Sequence, residues 1–129
     1  MYKVTGHIGK DHYRAEIKSA TNKIITDEPV DVGGQDLGLS PSEILASSLA
    51  ACTYITVRMY ADRKEWNLDE VLTNVILEKL EGKSKFTRTV EFKGNLDDAQ
   101  RNRLMAIANK CPIHQALTGP IEIETVFSR

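Results

Sequence analysis

The order of patterns along the chain predicts an α+β fold with a mainly antiparallel sheet. Short alternating runs fill the first part. A long capped helical run follows, and two further alternating runs precede a proline-interrupted helical stretch and a closing alternation. Strands grouped with strands, rather than alternating singly with helices, point to α+β and away from a parallel α/β sheet. The 129 residues suit a single domain spanning residues 1–129, large enough to fold without metal or disulfide staples.

Residues 2–8 and 12–18 flank the turn-like Gly9-Lys10-Asp11, which predicts a hairpin, and residues 22–26 predict a third short strand. Residues 27–39 hold Pro29, Gly33, Gly34 and Gly38 without a helical period, so they read as a crossover loop. These glycines match no phosphate-binding fingerprint, lacking both a following Gly-Lys-Ser/Thr and a GxGxxG at a helix start.

The strongest helical signal covers residues 40–66. Ser40 as N-cap, Pro41 at the first helical position and Glu43 three residues after the cap form a capping box. Leu45, Leu49, Cys52, Ile55 or Thr56, and Met59 recur at helical spacing and share one face. Small residues such as Ala46, Ser47 and Ala50 would let another element approach closely, so a buried central helix is expected.

Residues 71–80 and 86–93 predict two strands joined by residues 81–85. Phe86, Arg88, Val90 and Phe92 alternate with Thr87, Thr89 and Glu91, which gives the second strand one wet face. Asn95 is the expected cap of a helix over residues 97–110, whose Leu104, Ile107, Ala108 and Cys111 form an apolar face. Pro112 starts a short helix over residues 112–117, Gly119-Pro120 stops it, and residues 121–127 alternate as a last strand.

Composition excludes several functions. With 17 basic against 18 acidic residues, the chain offers no basic stripe for nucleic acid and no cationic face for a membrane. No apolar run is expected to reach the roughly 18 residues of a span. The first residues lack the apolar core of a signal peptide, so a cytoplasmic location is expected, where thiols stay reduced unless they turn over.

The chemistry then rests on two cysteines, too few for a secreted disulfide framework. They are either ordinary buried cysteines or one redox pair. Cys111, placed just before the helix-starting Pro112 and beside Lys110, sits where free N–H groups and a cation favour a thiolate. Its plainer reading is a small apolar residue closing a helix face. Cys52 lies three turns into its helix, beyond the reach of the dipole, with the hydroxyls of Ser48 and Thr56 one turn away. Its plainer reading is a core cysteine among alanines.

Glu43 is fully explained as the capping-box acid, about nine rises of ~1.5 Å from Cys52 on a straight helix. It could act on Cys52 only through a helix break or from another subunit. His7, His12 and His114 form no ligand spacing, and Cys111 with His114 supplies too few ligands for zinc, so no metal or other cofactor is expected.

Taken together, these residues resemble the OsmC/Ohr family of thiol-dependent hydroperoxide reductases. The resemblance covers nearly the whole chain. It rests on the helix Pro41-Ser42-Glu43-Ile44-Leu45 running into Leu49-Ala50-Ala51-Cys52, and on Ile107-Ala108-Asn109-Lys110-Cys111-Pro112-Ile113-His114. The loop from Asp27-Glu28-Pro29 to Gly33-Gly34-Gln35-Asp36-Leu37-Gly38 is similar to a less-studied branch.

The resemblance implies antiparallel sheets wrapped around central helices in an intertwined homodimer, with sites at the subunit interface. It also implies an organic hydroperoxide substrate, a dithiol reductant, Cys52 as the peroxidatic thiolate and Cys111 as the resolving thiol. Two departures stand out. The family's glutamate directly follows the helix-starting proline, where this chain has Ser42 with Glu43 next. The family's arginine comes from the hairpin or the loop, where this chain has Lys10, and Arg14 and Arg58 are the nearest substitutes in sequence.

Three functions therefore remain open at this point. They are a peroxidase, a non-enzymatic redox-sensing or ligand-binding domain with the same thiols, and a structural module with two core cysteines.

Overall fold

The computed structural model describes residues 1–128. They form two compact units, Met1–Ala46 and Ser47–Arg129, with the boundary inside the long helix. The architecture is α+β with antiparallel pairing throughout its named strands, as the sequence predicts.

In the first unit, β1 (Thr5–His7), β2 (Ala15–Lys18) and β3 (Lys23–Thr26) make an antiparallel sheet in that order. The register pairs Thr5 with Lys18 and Ala15 with Thr26. β2 starts later than its sequence pattern suggests, because the Tyr13 N–H leaves the strand to donate to Asp27 at 3.0 Å.

Asp27 is the knot of this unit. Its buried carboxylate accepts the N–H groups of Tyr13, Glu28, Gln35 and Leu37 at 2.7 to 3.3 Å. Burial pushes its carboxyl up, but the four donors outweigh that and hold it below the ordinary carboxylate value. The loop glycines answer to the same packing. A Cβ on Gly34 would lie 2.0 Å from the Glu28 carbonyl oxygen, and one on Gly38 would lie 2.2 Å from that of Ile25. The crossover loop is thus ordered, with a short 3-10 turn at Val30–Val32.

Helix α1 covers Pro41–Arg63 and ends where Glu65 takes a left-handed φ of 55°, so Trp66 lies beyond it. Its predicted capping box is present. Glu43 accepts the Ser40 N–H at 2.9 Å, and Ser40 Oγ accepts the Glu43 N–H at 3.3 Å. The buried stripe needs correcting. Leu49, Thr53, Val57 and Ala61 go inward at i, i+4 spacing, whereas Leu45, Ile55 and Met59 are 44%, 46% and 58% exposed. A helix has two adjacent apolar edges here, and only the tertiary fold chooses between them.

The expectation about apolar runs is corrected as well. α1 holds an 18-residue window of mean hydropathy 1.2, long and apolar enough by composition to cross a membrane.

In the second unit, β4 (Leu68–Leu80) and β5 (Lys83–Gly94) form a long antiparallel hairpin. It closes through Glu81 and Gly82, whose φ of 75° suits glycine, so β4 ends at Leu80 as predicted while β5 begins three residues nearer the turn, at Lys83. β5 keeps the predicted alternation, with Phe86, Arg88, Val90 and Phe92 inward.

Helix α2 (Asp98–Ala108) is capped by Asp97 rather than Asn95. The Asp97 side chain accepts the Gln100 N–H at 2.7 Å and Gln100 Oε1 accepts the Asp97 N–H at 2.9 Å, a box that Asn95 has no partner to make. Helix α3 covers Pro112–Thr118, with Cys111 as its N-cap. Val57, Ala61, Leu68, Phe92, Leu104 and Ala108 form the core of this unit.

Among the described residues the predicted last strand does not form: residues 121–127 have no strand geometry, and Ile121, Ile123 and Val126 are exposed. Alternation marks a segment able to pair, but a strand exists only where an edge receives it.

Candidate thiol site

The second unit brings Cys52 and Cys111 together at one helix start. Pro112 fixes the first turn of α3, and the N–H groups of that turn point back toward the incoming chain. Ile113 donates its N–H to Cys52 Sγ at 3.5 Å, and His114 donates its N–H to Cys111 Sγ at 3.3 Å. Both cysteines are free thiols. The two sulfurs thus accept from successive N–H groups of one turn, which makes Cys111 an electrostatic neighbour of Cys52.

The two environments differ. Cys111 has no solvent exposure, whereas Cys52 is half-buried. Burial pushes the Cys52 thiol above its ordinary range, and the hydrogen bond and charge of Cys111 push it further. The Ile113 N–H and the Thr56 hydroxyl, 4.0 Å away, oppose this without reversing it.

Arg88 is the residue that sequence reasoning missed. It reaches from the inner face of β5 into the junction of α1, α2 and α3. Its Nη1 donates to Thr53 Oγ1 at 2.9 Å and to the Ala108 carbonyl at 3.4 Å, and lies 4.0 Å from Cys111 Sγ. Its Nη2 donates to Asn109 Oδ1 at 2.8 Å and meets His114 Nδ1 at 3.0 Å. A guanidinium only donates, so Nδ1 is the acceptor of this contact. Thr53 is fully buried and satisfied on both sides, since its hydroxyl donates to the Leu49 carbonyl at 2.6 Å. The signal for Arg88 was in the sequence: a charged residue on the apolar face of an alternating strand.

The other predicted residues have different occupations. Glu43 is closed on Ser40 in the first unit, whose hydrogen bonds hold its carboxyl below the ordinary range. Arg58 is taken by Asp62 at 2.7 Å and by the Leu68 carbonyl at 2.7 Å, which fixes the joint between α1 and β4. Arg14 pairs with Glu16, and Lys10 is exposed in its turn. Among the described residues, no group of three His, Cys, Asp or Glu side chains could hold a metal ion.

An α+β chain thus brings two free thiols to one helix start. The model of the OsmC-like protein family matches residues 33–126. The chain belongs to that family. Its fold is shared with an OsmC-like protein from Mycoplasma pneumoniae, at 21% identity and a TM-score of 0.78, covering 92% of this chain and 88% of that one. It is also shared with an organic hydroperoxide resistance protein OsmC from Legionella pneumophila, at 23% identity and a TM-score of 0.65, covering 92% and 90%. The organic hydroperoxide resistance protein OhrB of Bacillus subtilis is 26% identical with a TM-score of 0.65, covering 92% and 91%. No curated protein sequence is a match.

Proposed function

We propose that the protein is a cytoplasmic thiol peroxidase that reduces organic hydroperoxides through a Cys52/Cys111 redox pair. The observation that supports this reading best is the pairing of two free sulfurs on successive N–H groups of one helix turn. The match to the OsmC-like family and the likeness to OhrB of Bacillus subtilis support the substrate class.

In this mechanism Cys52, the more exposed sulfur, meets the peroxide. Its thiolate attacks the outer oxygen, an S–O bond forms as the O–O bond breaks, and the alkoxide takes a proton and leaves as an alcohol. Cys111 then attacks the Cys52 sulfenic acid. The S–S bond forms, the S–O bond breaks, and hydroxide leaves as water after taking a proton. A dithiol reductant returns both thiols by exchange.

The working form in this reading is a homodimer. The exposed Ile55 and Met59 edge of α1, and the exposed Ile121, Ile123 and Val126, are the surfaces that a second copy would cover. In this reading Glu43 would serve from the partner subunit.

The deciding experiment is turnover of cumene hydroperoxide with a dithiol reductant. Steady consumption supports the peroxidase. Stoichiometric thiol loss without turnover supports a redox sensor. Unchanged thiols sink both.

A further inference from the structure

Arg88 carries a cation's charge, and among the described residues it forms no ion pair. Its guanidinium meets a hydroxyl, a carbonyl, a side-chain amide, an imidazole nitrogen and a thiol. Among the described residues, no carboxylate lies within 4.0 Å of it, although four other ion pairs form in the chain. A half-buried cation with a fixed set of neutral partners is costly to keep unless a negative charge arrives beside it. The groups nearby that can become negative are the sulfurs, and Cys111 is the one Arg88 touches.

The surrounding contacts fix where that charge can lie. Thr53 and Asn109 hold the two ends of the guanidinium fork, so Nη1 is kept at the sulfur and cannot swing toward solvent. The His114 N–H comes to the same sulfur from another direction at 3.3 Å. Cys111 is closed to solvent, so its only available reaction partner is the neighbouring Cys52.

Resting on the thiol-pair reading above, we propose that Arg88 is a positioning residue for the resolving step. Its guanidinium is the counter-charge of the Cys111 sulfur as that sulfur attacks oxidised Cys52. It acts on the second bond-forming event, S–S formation, and not on the peroxide attack at Cys52.

A test that needs no peroxidase activity uses dithiodipyridine. The first thiopyridone is released when Cys52 forms a mixed disulfide with the reagent. The second is released when Cys111 attacks the Cys52 sulfur, so that the Cys52–Cys111 bond forms and the bond to the pyridyl sulfur breaks. Arg88→Gln is expected to leave the first release unchanged and to slow the second by about tenfold. Arg88→Lys, which keeps the charge without the fork, should recover part of the second rate.

The first release in the same sample reports whether Cys52 and its surroundings survive the substitution. Equal slowing of both releases, or no slowing of the second, overturns the proposal. So does a Lys variant no faster than the Gln variant. A wild-type protein that releases both equivalents but consumes no hydroperoxide would remove the peroxidase reading and leave the role of Arg88 standing.

Discussion

Arg88 and Cys111 are 23 residues apart in sequence, yet Nη1 of one lies 4.0 Å from Sγ of the other. The contact joins the hairpin to the start of α3. It gives the second thiol a cationic neighbour that the first does not share. The chemistry of the pair is therefore asymmetric, with exposure on Cys52 and charge beside Cys111.

That asymmetry fixes the expected labelling. After one equivalent of cumene hydroperoxide, the wild-type protein loses both thiols to an intrachain disulfide. In Cys111→Ser, a sulfenic-acid reagent labels Cys52, and dithiol-driven turnover stops. In Cys52→Ser, nothing is labelled. Mass spectrometry of the peptides reads all three, and label on Cys111 instead would reverse the assigned roles.

The pH dependence follows from the raised Cys52 thiol. Burial keeps it protonated at neutral pH, so the reactive thiolate is a small fraction there and grows as pH rises. The rate of iodoacetamide alkylation at Cys52 should still be climbing at the ordinary thiol value of 9.0. A rate already flat at neutral pH would contradict this. The same shift has a stability sign. The neutral thiol favours the fold fully below 9.0, and that contribution fades as pH rises through the higher folded value.

Asp27 gives the opposite sign. Its folded value lies below 3.8, so its contribution is present above that value and is lost as the pH falls through the lower folded one. Asp27→Asn, which cannot be an anion for four N–H groups, should unfold at lower denaturant concentration than wild type at pH 7. The gap should close in acid, below 3.8. Parallel denaturant curves at the two pH values test this, and a gap that persists in acid counts against the charge.

Leu104 is fully buried in the core of the second unit. Leu104→Ala should cost about 2–5 kcal/mol in a denaturant titration, the range for a core leucine truncation. A loss well under about 1 kcal/mol would show that the core collapses around the deletion.

Association is the remaining measurement. Sedimentation equilibrium at micromolar concentration should give a dimer, and Met59→Asp on the exposed edge of α1 should shift it toward monomer. Removing residues 121–129 should do the same. A wild-type monomer at that concentration would refute the interface proposal.

Local rules determined much of this protein from its sequence. The Ser40/Glu43 box, the Pro112 helix start, the Gly82 turn and the inward alternation of β5 are each settled by residues close in sequence, and each is present. The tertiary structure decided what depends on distant partners. It chose the Leu49, Thr53, Val57 and Ala61 edge of α1 over the neighbouring apolar edge, because burial belongs to the surface that finds a core. It left residues 121–127 without a strand, because pairing needs a second edge that a pattern cannot supply. It turned the Asp27 loop from a crossover into a knot through N–H donors up to 14 residues away. It also put Arg88 against Cys111, a meeting of charge and sulfur made by packing a hairpin on helices, for which no spacing along the chain provides a rule.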